Sequence, residues 1–315
     1  MTADAPPDAP PDATTPTPPL RFAVVHRTEY EYSSPMSDGY TVAHLLPRET
    51  PTQRVVSAAI EVDPEPDEFE EHTDVFGNRV VRLGVHRPHD RLVVTGRCMV
   101  DVDAAGGSAG LPSASATWER TAALLTSARG ELADEVGRFA AHTTATPTLV
   151  SLDELVGDLY VPGTPILDVV RGLSTRIHRE FVFDAEFSDV STPIAAVFDA
   201  RRGVCQDFAH LMIACLRSRG LAARYVSGYI ETVPPPGQPK LTGSDASHAW
   251  CSVWVPDHGW VDADPTNDQV PPQRHVTVAW GRDYFDVTPV RGVVIGPAAT
   301  QRLTVGVDVT SGDAT

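Results

Sequence analysis

The sequence predicts an α+β protein of two domains, an antiparallel β-sandwich followed by a domain that combines helices with a sheet. Between residues 21 and 103, short segments alternate apolar and polar residues and are separated by breaks containing Pro or Gly, as in antiparallel strands. Beyond residue 117, segments with helical periodicity precede segments with strand periodicity, which is an α+β order. The 315 residues, 42% of them hydrophobic, are enough to build two modest cores.

Charge and composition exclude several classes of partner. The formal net charge of −17 disfavours binding to nucleic acid or to an anionic membrane, and the sequence has no run of 18 apolar residues that could span a bilayer. Residues 1–20 are rich in Pro and Ala and lack the pattern of a secretory signal, so we expect a disordered arm. Four cysteines without a C-x-x-C pair indicate neither a disulfide framework nor structural zinc, and a cytoplasmic location follows.

The N-terminal β domain is predicted to span residues 21–103. One apolar strand side is formed by Leu92, Val94, Cys98 and Val100, and Cys98 there is expected to be a small buried hydrophobe, as is Cys215 further on. No grouping of reactive side chains is evident in this domain. Its histidines are scattered and are expected at the surface: His26, His44, His72, His86 and His89.

A linker is predicted at residues 104–116, which are small and Gly-rich. Helices are then expected from residue 117 onward. Two of them begin with a Thr-Pro pair, Thr164-Pro165 and Thr192-Pro193, in which Thr can cap the helix and Pro occupies its first position.

The next predicted helix begins at Cys205. Its apolar residues recur with helical spacing, and Gly220 ends it; they are Phe208, Leu211, Met212, Cys215 and Leu216. At a helix start, unpaired N–H groups and the positive end of the dipole favour the thiolate form of a cysteine. Cys205 is therefore a candidate nucleophile.

Strands are predicted after Gly220, interrupted by a Pro-rich loop at residues 233–239. His248 opens a strand in which Trp250 shares its side while Cys251 faces the other way. A turn then leads into residues 260–264. Since alternate strand residues share a face, Asp262 and Asp264 are both able to face His248. A thiol, an imidazole and a carboxylate in this order fit nucleophilic catalysis by a thiol enzyme.

The residues around these positions resemble the bacterial transglutaminase-like family, and residues 21–103 resemble the β domain that precedes its core. The motifs that carry the resemblance are Gly203-Val-Cys-Gln-Asp-Phe-Ala-His210, Ala223-Arg-Tyr-Val-Ser-Gly-Tyr229, Ser247-His-Ala-Trp250, Gly259-Trp-Val-Asp-Ala-Asp-Pro-Thr-Asn267 and Gly281-Arg-Asp-Tyr-Phe-Asp-Val-Thr-Pro289. The resemblance implies a papain-like, transglutaminase-core fold in residues 117–300, followed by a terminal strand and tail at 301–315. It also implies a triad of Cys205, His248 and Asp264, because the Asp-Pro-Thr match favours Asp264 over Asp262.

The predicted reaction begins with attack of the Cys205 thiolate on an amide carbonyl of a peptide or protein, and His248 protonates the leaving amine. The resulting thioester could pass to water, as in a cysteine protease or amidase, or to an amine, as in a transglutaminase; water is the preferred acceptor. The Cys205 N–H would hold the oxyanion, with Gln206, Trp250 and Tyr229 as candidate side-chain donors. No cofactor or metal is expected.

Two other interpretations remain open. Asp207 and His210 could form a metal site with Cys205, although no second Cys/His cluster accompanies them. The protein could also be a catalytically silent module that uses the same fold to bind a peptide.

Overall fold

The structure is a computed structural model, and it describes residues 19–103, 111, 114–149, 151–232, 247–272, 274–297 and 300–313. Residues 1–18 of the predicted arm, most of the predicted linker at 104–116 and the Pro-rich loop at 233–239 lie outside the described residues.

The strands of the N-terminal region are β1 (Leu20–Met36), β2 (Asp38–Ala43), β3 (Gln53–Asp63), β4 (Glu68–Thr73), β5 (Arg79–Val85) and β6 (His89–Val102). The middle of the chain contains α1 (Trp118–Ser127), α2 (Glu131–Glu135), α3 (Leu152–Val156), α4 (Ile166–Glu180), β7 (Val182–Phe183), α5 (Ile194–Ala200), β8 (Arg202–Gly203) and α6 (Cys205–Arg217). The remaining strands are β9 (Ala223–Ile230), β10 (Ser247–Val255), β11 (Gly259–Ala263), β12 (His275–Gly281), β13 (Val290–Ile295) and β14 (Gln301–Asp313).

The N-terminal strands form two antiparallel sheets with the orders β14-β1-β6-β3 and β13-β2-β5-β4. Apolar residues of both sheets, among them Ala43, Leu83, Leu92 and Val94, form a core between them. The predicted N-terminal antiparallel region is therefore present. The predicted core domain at 117–300 is too long at its end, because β13 pairs with β2 and completes the second sheet of the sandwich.

The second region is an antiparallel sheet with the order β11-β10-β9-β12, covered on one face by helix α6. Alternate residues of β9 and β10, such as Tyr225 and Cys251, join the apolar residues of α4, α5 and α6 in a large core. The same core includes Phe22 and Val100 of the first sheet. The sandwich and the mixed region thus share buried apolar surface, and the α+β prediction is confirmed.

Three of the histidines expected at the surface are buried, so that prediction is wrong for His26, His44 and His89, which expose 2%, 4% and 7% of their surface. Each ring finds a local partner that replaces water: His26 Nδ1 lies 3.0 Å from the Tyr229 hydroxyl, and the other two rings bond backbone carbonyls through Nδ1. Burial lowers the pKa of His26 to about 4, so the ring is neutral at pH 7.

Across the described residues, no helix combines the length and the apolar character needed to cross a membrane.

Candidate active site

Helix α6 begins at Cys205, which is half-buried, and Val204 before it has extended backbone. Asp207 Oδ2 accepts a hydrogen bond from the Val204 N–H at 2.8 Å and another from the Ser188 hydroxyl. Val204 has no polar side chain to cap the helix, so the Asp207 carboxylate fixes the turn that enters it. Gly203 makes room for this contact, since a Cβ there would lie 2.7 Å from Asp207 Oδ2. The thiol is thereby placed at a rigid helix start.

The hairpin of β10 and β11 positions an imidazole and a carboxylate. His248 is the second residue of β10, and Asp264 directly follows β11. His248 Nε2 lies 2.8 Å from Asp264 Oδ2, and the two side chains are 7% and 0% exposed. Asp262 is not the partner, because its Oδ2 accepts a hydrogen bond from Trp250 Nε1 at 3.0 Å. The hairpin register therefore separates the two aspartates that the strand pattern left open.

Asp264 accepts hydrogen bonds from several groups. Its Oδ2 also lies 2.9 Å from His275 Nε2 and 2.7 Å from Asn267 Nδ2. Its Oδ1 accepts hydrogen bonds from the backbone N–H groups of Thr266 and Asn267 at 2.9 and 3.3 Å. A buried carboxylate with this set of donors remains ionised and fixed in orientation.

Electrostatics follow from these contacts. Burial would raise the pKa of Asp264, but the hydrogen bonds from His248 and His275 hold it well below its ordinary value. Burial would likewise lower the pKa of His248, but hydrogen bonds with Asp264 and with the Cys205 side chain raise it to about 10. The imidazolium form is therefore strongly favoured at pH 7.

His248 interacts with both the carboxylate and the thiol. Asp264 Oδ2 occupies Nε2 of His248, and the Cys205 side chain is close enough to the ring to raise its pKa as well. The structure thus brings together the three side chains predicted from the sequence, in an arrangement that could move a proton between sulfur and imidazole.

The three side-chain oxyanion candidates have different surroundings. Trp250 is fully buried and its N–H already donates to Asp262. Tyr229 is 3% exposed, and its hydroxyl is bonded to His26 of the N-terminal region. Neither group is free to meet a substrate. Gln206 is half-buried and follows Cys205 in the chain, and it stays a candidate.

The alternative metal site at Cys205, Asp207 and His210 does not fit the structure. Asp207 binds the start of its own helix, and His210 Nε2 accepts the Tyr284 N–H at 3.1 Å. Burial lowers the pKa of His210 to about 3, which keeps this ring neutral. Ligand-type atoms of a different set, His248, Asp264 and His275, lie within 4.8 Å of one another, and their mutual hydrogen bonds account for that proximity.

Three residues have roles in this site that were not predicted from the sequence. Asn267 lies within the Asp-Pro-Thr-Asn motif, so the motif carried a signal for it. Asp207 occupies the third helical position after Val204, which is a capping position. His275 begins β12, and no local pattern marks it, because β12 reaches Asp264 only through the order of the folded sheet.

A thiol at a helix start, facing an imidazole and a carboxylate on an adjacent antiparallel sheet, defines a papain-like class of fold with a transglutaminase-like core. The chain belongs to the transglutaminase-like superfamily: the model of that superfamily matches residues 154–265, and the model of the bacterial transglutaminase-like N-terminal region matches residues 22–101.

Several similar proteins are known. An uncharacterized protein of Mycobacterium tuberculosis is 39% identical over 299 residues, which is 92% of each chain, and one of Mycobacterium leprae is 31% identical over 294 residues, covering 92% of this chain and 98% of that protein. A protein-glutamine gamma-glutamyltransferase of Pseudomonas aeruginosa is 40% identical over 79 residues, covering 25% of this chain and 12% of that protein. The solved structure of a candidate cysteine protease from Cytophaga hutchinsonii shares the fold, with a TM-score of 0.69 at 20% identity over 96% of this chain and 93% of that one.

Proposed function

We propose that the protein is a thiol enzyme that acts on amide bonds of peptides or proteins through Cys205, His248 and Asp264. The observation that carries the proposal is the position of His248, whose Nε2 is hydrogen-bonded to Asp264 and whose ring also interacts with the Cys205 side chain. In the proposed first step the Cys205 proton passes to His248, and the sulfur then acts as the nucleophile.

The proposed reaction proceeds through a thioester. The Cys205 sulfur forms a bond to the amide carbonyl carbon, and the carbonyl oxygen carries the negative charge while the Cys205 N–H at the start of α6 donates to it. The tetrahedral intermediate collapses as the C–N bond breaks and the His248 imidazolium gives its proton to the leaving amine. Asp264 holds the ring in the orientation that both transfers need.

We further propose that water is the preferred acceptor of the acyl group, which would make the protein a cysteine protease or amidase. Cys205 is half-buried, so the thioester would be within reach of solvent, whereas transfer to an amine requires that water be excluded. Water would give a proton to His248 as it attacks the thioester, and the thiolate would leave. Among the similar proteins one is named a candidate cysteine protease and another a glutamyltransferase, so the fold is compatible with both fates.

The thiol proposal is tested by alkylation with iodoacetamide in the native protein, followed by mass spectrometry of each cysteine. We expect Cys205 to react far faster than Cys98 or Cys251, which are buried and whose pKa values burial raises. The His248→Gln variant should slow the reaction at Cys205 and leave the other two unchanged. Equal reactivity of Cys205 and the buried thiols would contradict the proposal and favour a silent peptide-binding module.

The acceptor is tested with a glutaminyl peptide in the presence and absence of a primary amine. Cleavage or deamidation that is unaffected by the amine is the expected result. Ammonia release with incorporation of the amine would contradict hydrolysis and show that the acyl group is transferred to the amine. The Cys205→Ala variant should be inactive in both assays, which excludes a contaminating enzyme.

A cytoplasmic location forms part of the proposal. Cys98, Cys205, Cys215 and Cys251 are all free thiols, a state that a reducing compartment maintains.

A further inference from the structure

A cavity of about 840 Å³ lies on the sheet face that carries Trp250, between that sheet and the N-terminal sandwich. Its walls combine sandwich residues such as Leu20 and Val102 with Trp260, Pro271 and Trp280 from the mixed region. Neither Cys205 nor His248 lines it. A volume of this size, with apolar and aromatic walls, is typical of sites for small organic ligands.

Arg224 lies in the wall of this cavity and of a second one of about 390 Å³ beside it. The residue is only 7% exposed. Its guanidinium carbon lies 3.5 Å from the ring centre of Trp280 and 4.3 Å from that of Trp260. Aromatic rings therefore cover faces of the guanidinium. Its N–H donors lie in the guanidinium plane, and the rings provide no hydrogen-bond acceptor for them.

One polar atom of Arg224 is buried without a partner. Within the described part of the chain, Arg224 Nε has no hydrogen-bond partner, although the atom is buried. Asp262 is the carboxylate whose charge acts on Arg224, but its Oδ2 is bonded to Trp250 and no ion pair joins it to Arg224 among the described residues. Burial lowers the pKa of Arg224 to about 9, as expected for a cation that has lost its water without gaining an anion.

Such a buried group destabilises the folded protein unless a ligand with a hydrogen-bond acceptor occupies the cavity beside it. A buried donor without an acceptor destabilises the folded protein, and more strongly when the group is charged. Arg48 also stacks on Trp280, at 3.2 Å, and its buried Nε likewise has no partner among the described residues, but its Nη1 donates to the Phe76 carbonyl and to Asn78. An arginine can therefore stack on Trp280 and still donate hydrogen bonds to the protein through its terminal nitrogens.

We propose that this cavity, defined by Arg224, Trp260 and Trp280, binds a small organic acid with an apolar body, whose carboxylate pairs with the Arg224 guanidinium. The planar fork of arginine N–H groups matches a carboxylate, and the apolar walls take up the rest of the molecule. Cys205 does not line the cavity, although His275, which bonds Asp264, does, and the proposal does not depend on the proposed enzymatic function.

The proposal is tested with a fluorescent fatty acid, dansyl-undecanoic acid, and its methyl ester, which has nearly the same body without the charge. We expect the wild-type protein to bind the acid about tenfold or more tightly than the ester, the factor that a charge-assisted hydrogen bond provides. In the Arg224→Met variant this preference should disappear, with the ester affinity little changed. Equal affinity of acid and ester in the wild type, no binding of either, or an unchanged preference in the variant would overturn the proposal.

Arg224→Met could also unfold the protein, so a second pair of variants avoids the aromatic stack. Thr52 is exposed at the cavity, and Thr73 is exposed on β4 away from it. Thr52→Glu should weaken binding of the acid more than of the ester, because it adds a negative charge near the carboxylate, whereas Thr73→Glu should change neither. Identical behaviour of the two variants would contradict the proposed location. Cys205→Ala should retain full binding, whatever the outcome for the enzymatic proposal.

Discussion

At the scale of single residues, Asp264 connects the candidate site to the rest of the sheet. One of its oxygens accepts hydrogen bonds from His248, His275 and Asn267, and the other is held by two backbone N–H groups. The carboxylate is fully buried, so each of these donors replaces a water molecule. The charge and orientation of His248 therefore depend on residues from the turn after β11 and from β12.

The raised pKa of His248 predicts a pH dependence of stability. A histidine whose pKa rises from 6.5 to about 10 on folding stabilises the native state fully below pH 6.5, and this contribution is lost as the pH rises toward 10. We expect the free energy of unfolding of the wild type to fall across this interval and that of His248→Gln to fall less. Urea denaturation at a series of pH values measures the difference. His258→Gln, at an exposed position, should follow the wild type, and equal slopes for all three proteins would contradict the prediction.

At the scale of elements, the start of α6 depends on the carboxylate that caps it. Asp207→Ala should lower the free energy of unfolding by about 1–3 kcal/mol, because the Val204 N–H and the Ser188 hydroxyl lose their acceptor. Asp207→Asn should lose less, since its amide oxygen can still accept and burial already raises the pKa of Asp207. Urea denaturation compares the two variants. A loss from Asn equal to that from Ala would show that the hydrogen bonds do not set the stability of this turn.

The pairing of β9 with its neighbours depends on a glycine. A Cβ on Gly228 would lie 2.0 Å from the Val276 carbonyl oxygen and 2.6 Å from the Trp250 ring. Gly228→Ala should therefore displace β12, which carries His275, and lower the free energy of unfolding by more than about 2 kcal/mol. Gly312→Ala in β14 is the matched control, since apart from the adjoining backbone no atom of the described residues lies within 4 Å of the added carbon. Similar melting temperatures for the two variants would disprove the steric argument.

At the scale of the whole molecule, the sandwich and the mixed region are joined by more than a linker. Phe22 and Val100 of the first sheet lie in the same core as the residues of α4 and α6. Gln53 of β3 also reaches across: its Oε1 accepts the Thr277 N–H at 2.8 Å, and its Nε2 donates to the Thr277 carbonyl at 2.7 Å. The cavity lined by Arg224 also lies between these two regions.

Since this core is shared, we expect calorimetry to show a single cooperative unfolding transition for both regions. Gln53→Ala should lower the midpoint of that transition and leave it single, because buried Thr277 polar groups lose their partners. Thr52→Ala, at the neighbouring exposed position, is the control. Two separate transitions in the wild type would show that the regions fold independently.

Local sequence patterns predict the positions of some residues of the candidate site but not the surroundings of others. Cys205 could be placed at a helix start because helical periodicity is a local property, and the spacing of residues 248 to 264 indicated a hairpin. The same local patterns could not separate the environments of the oxyanion candidates. Trp250 and Tyr229 are occupied by Asp262 and His26, contacts that depend on strand register and on packing against another domain.

The sequence by itself determined the α+β class, the N-terminal antiparallel region, the helix that begins at Cys205, and Cys205, His248 and Asp264 as candidates, because each follows from a local period or a motif. Only the tertiary structure assigned β13 to the sandwich, joined His275 to Asp264, buried His26 and placed Arg224 beside a cavity, with no hydrogen-bond partner for its Nε among the described residues. These features arise where segments far apart in the chain meet, and the energy of such contacts depends on burial and geometry that no single segment encodes.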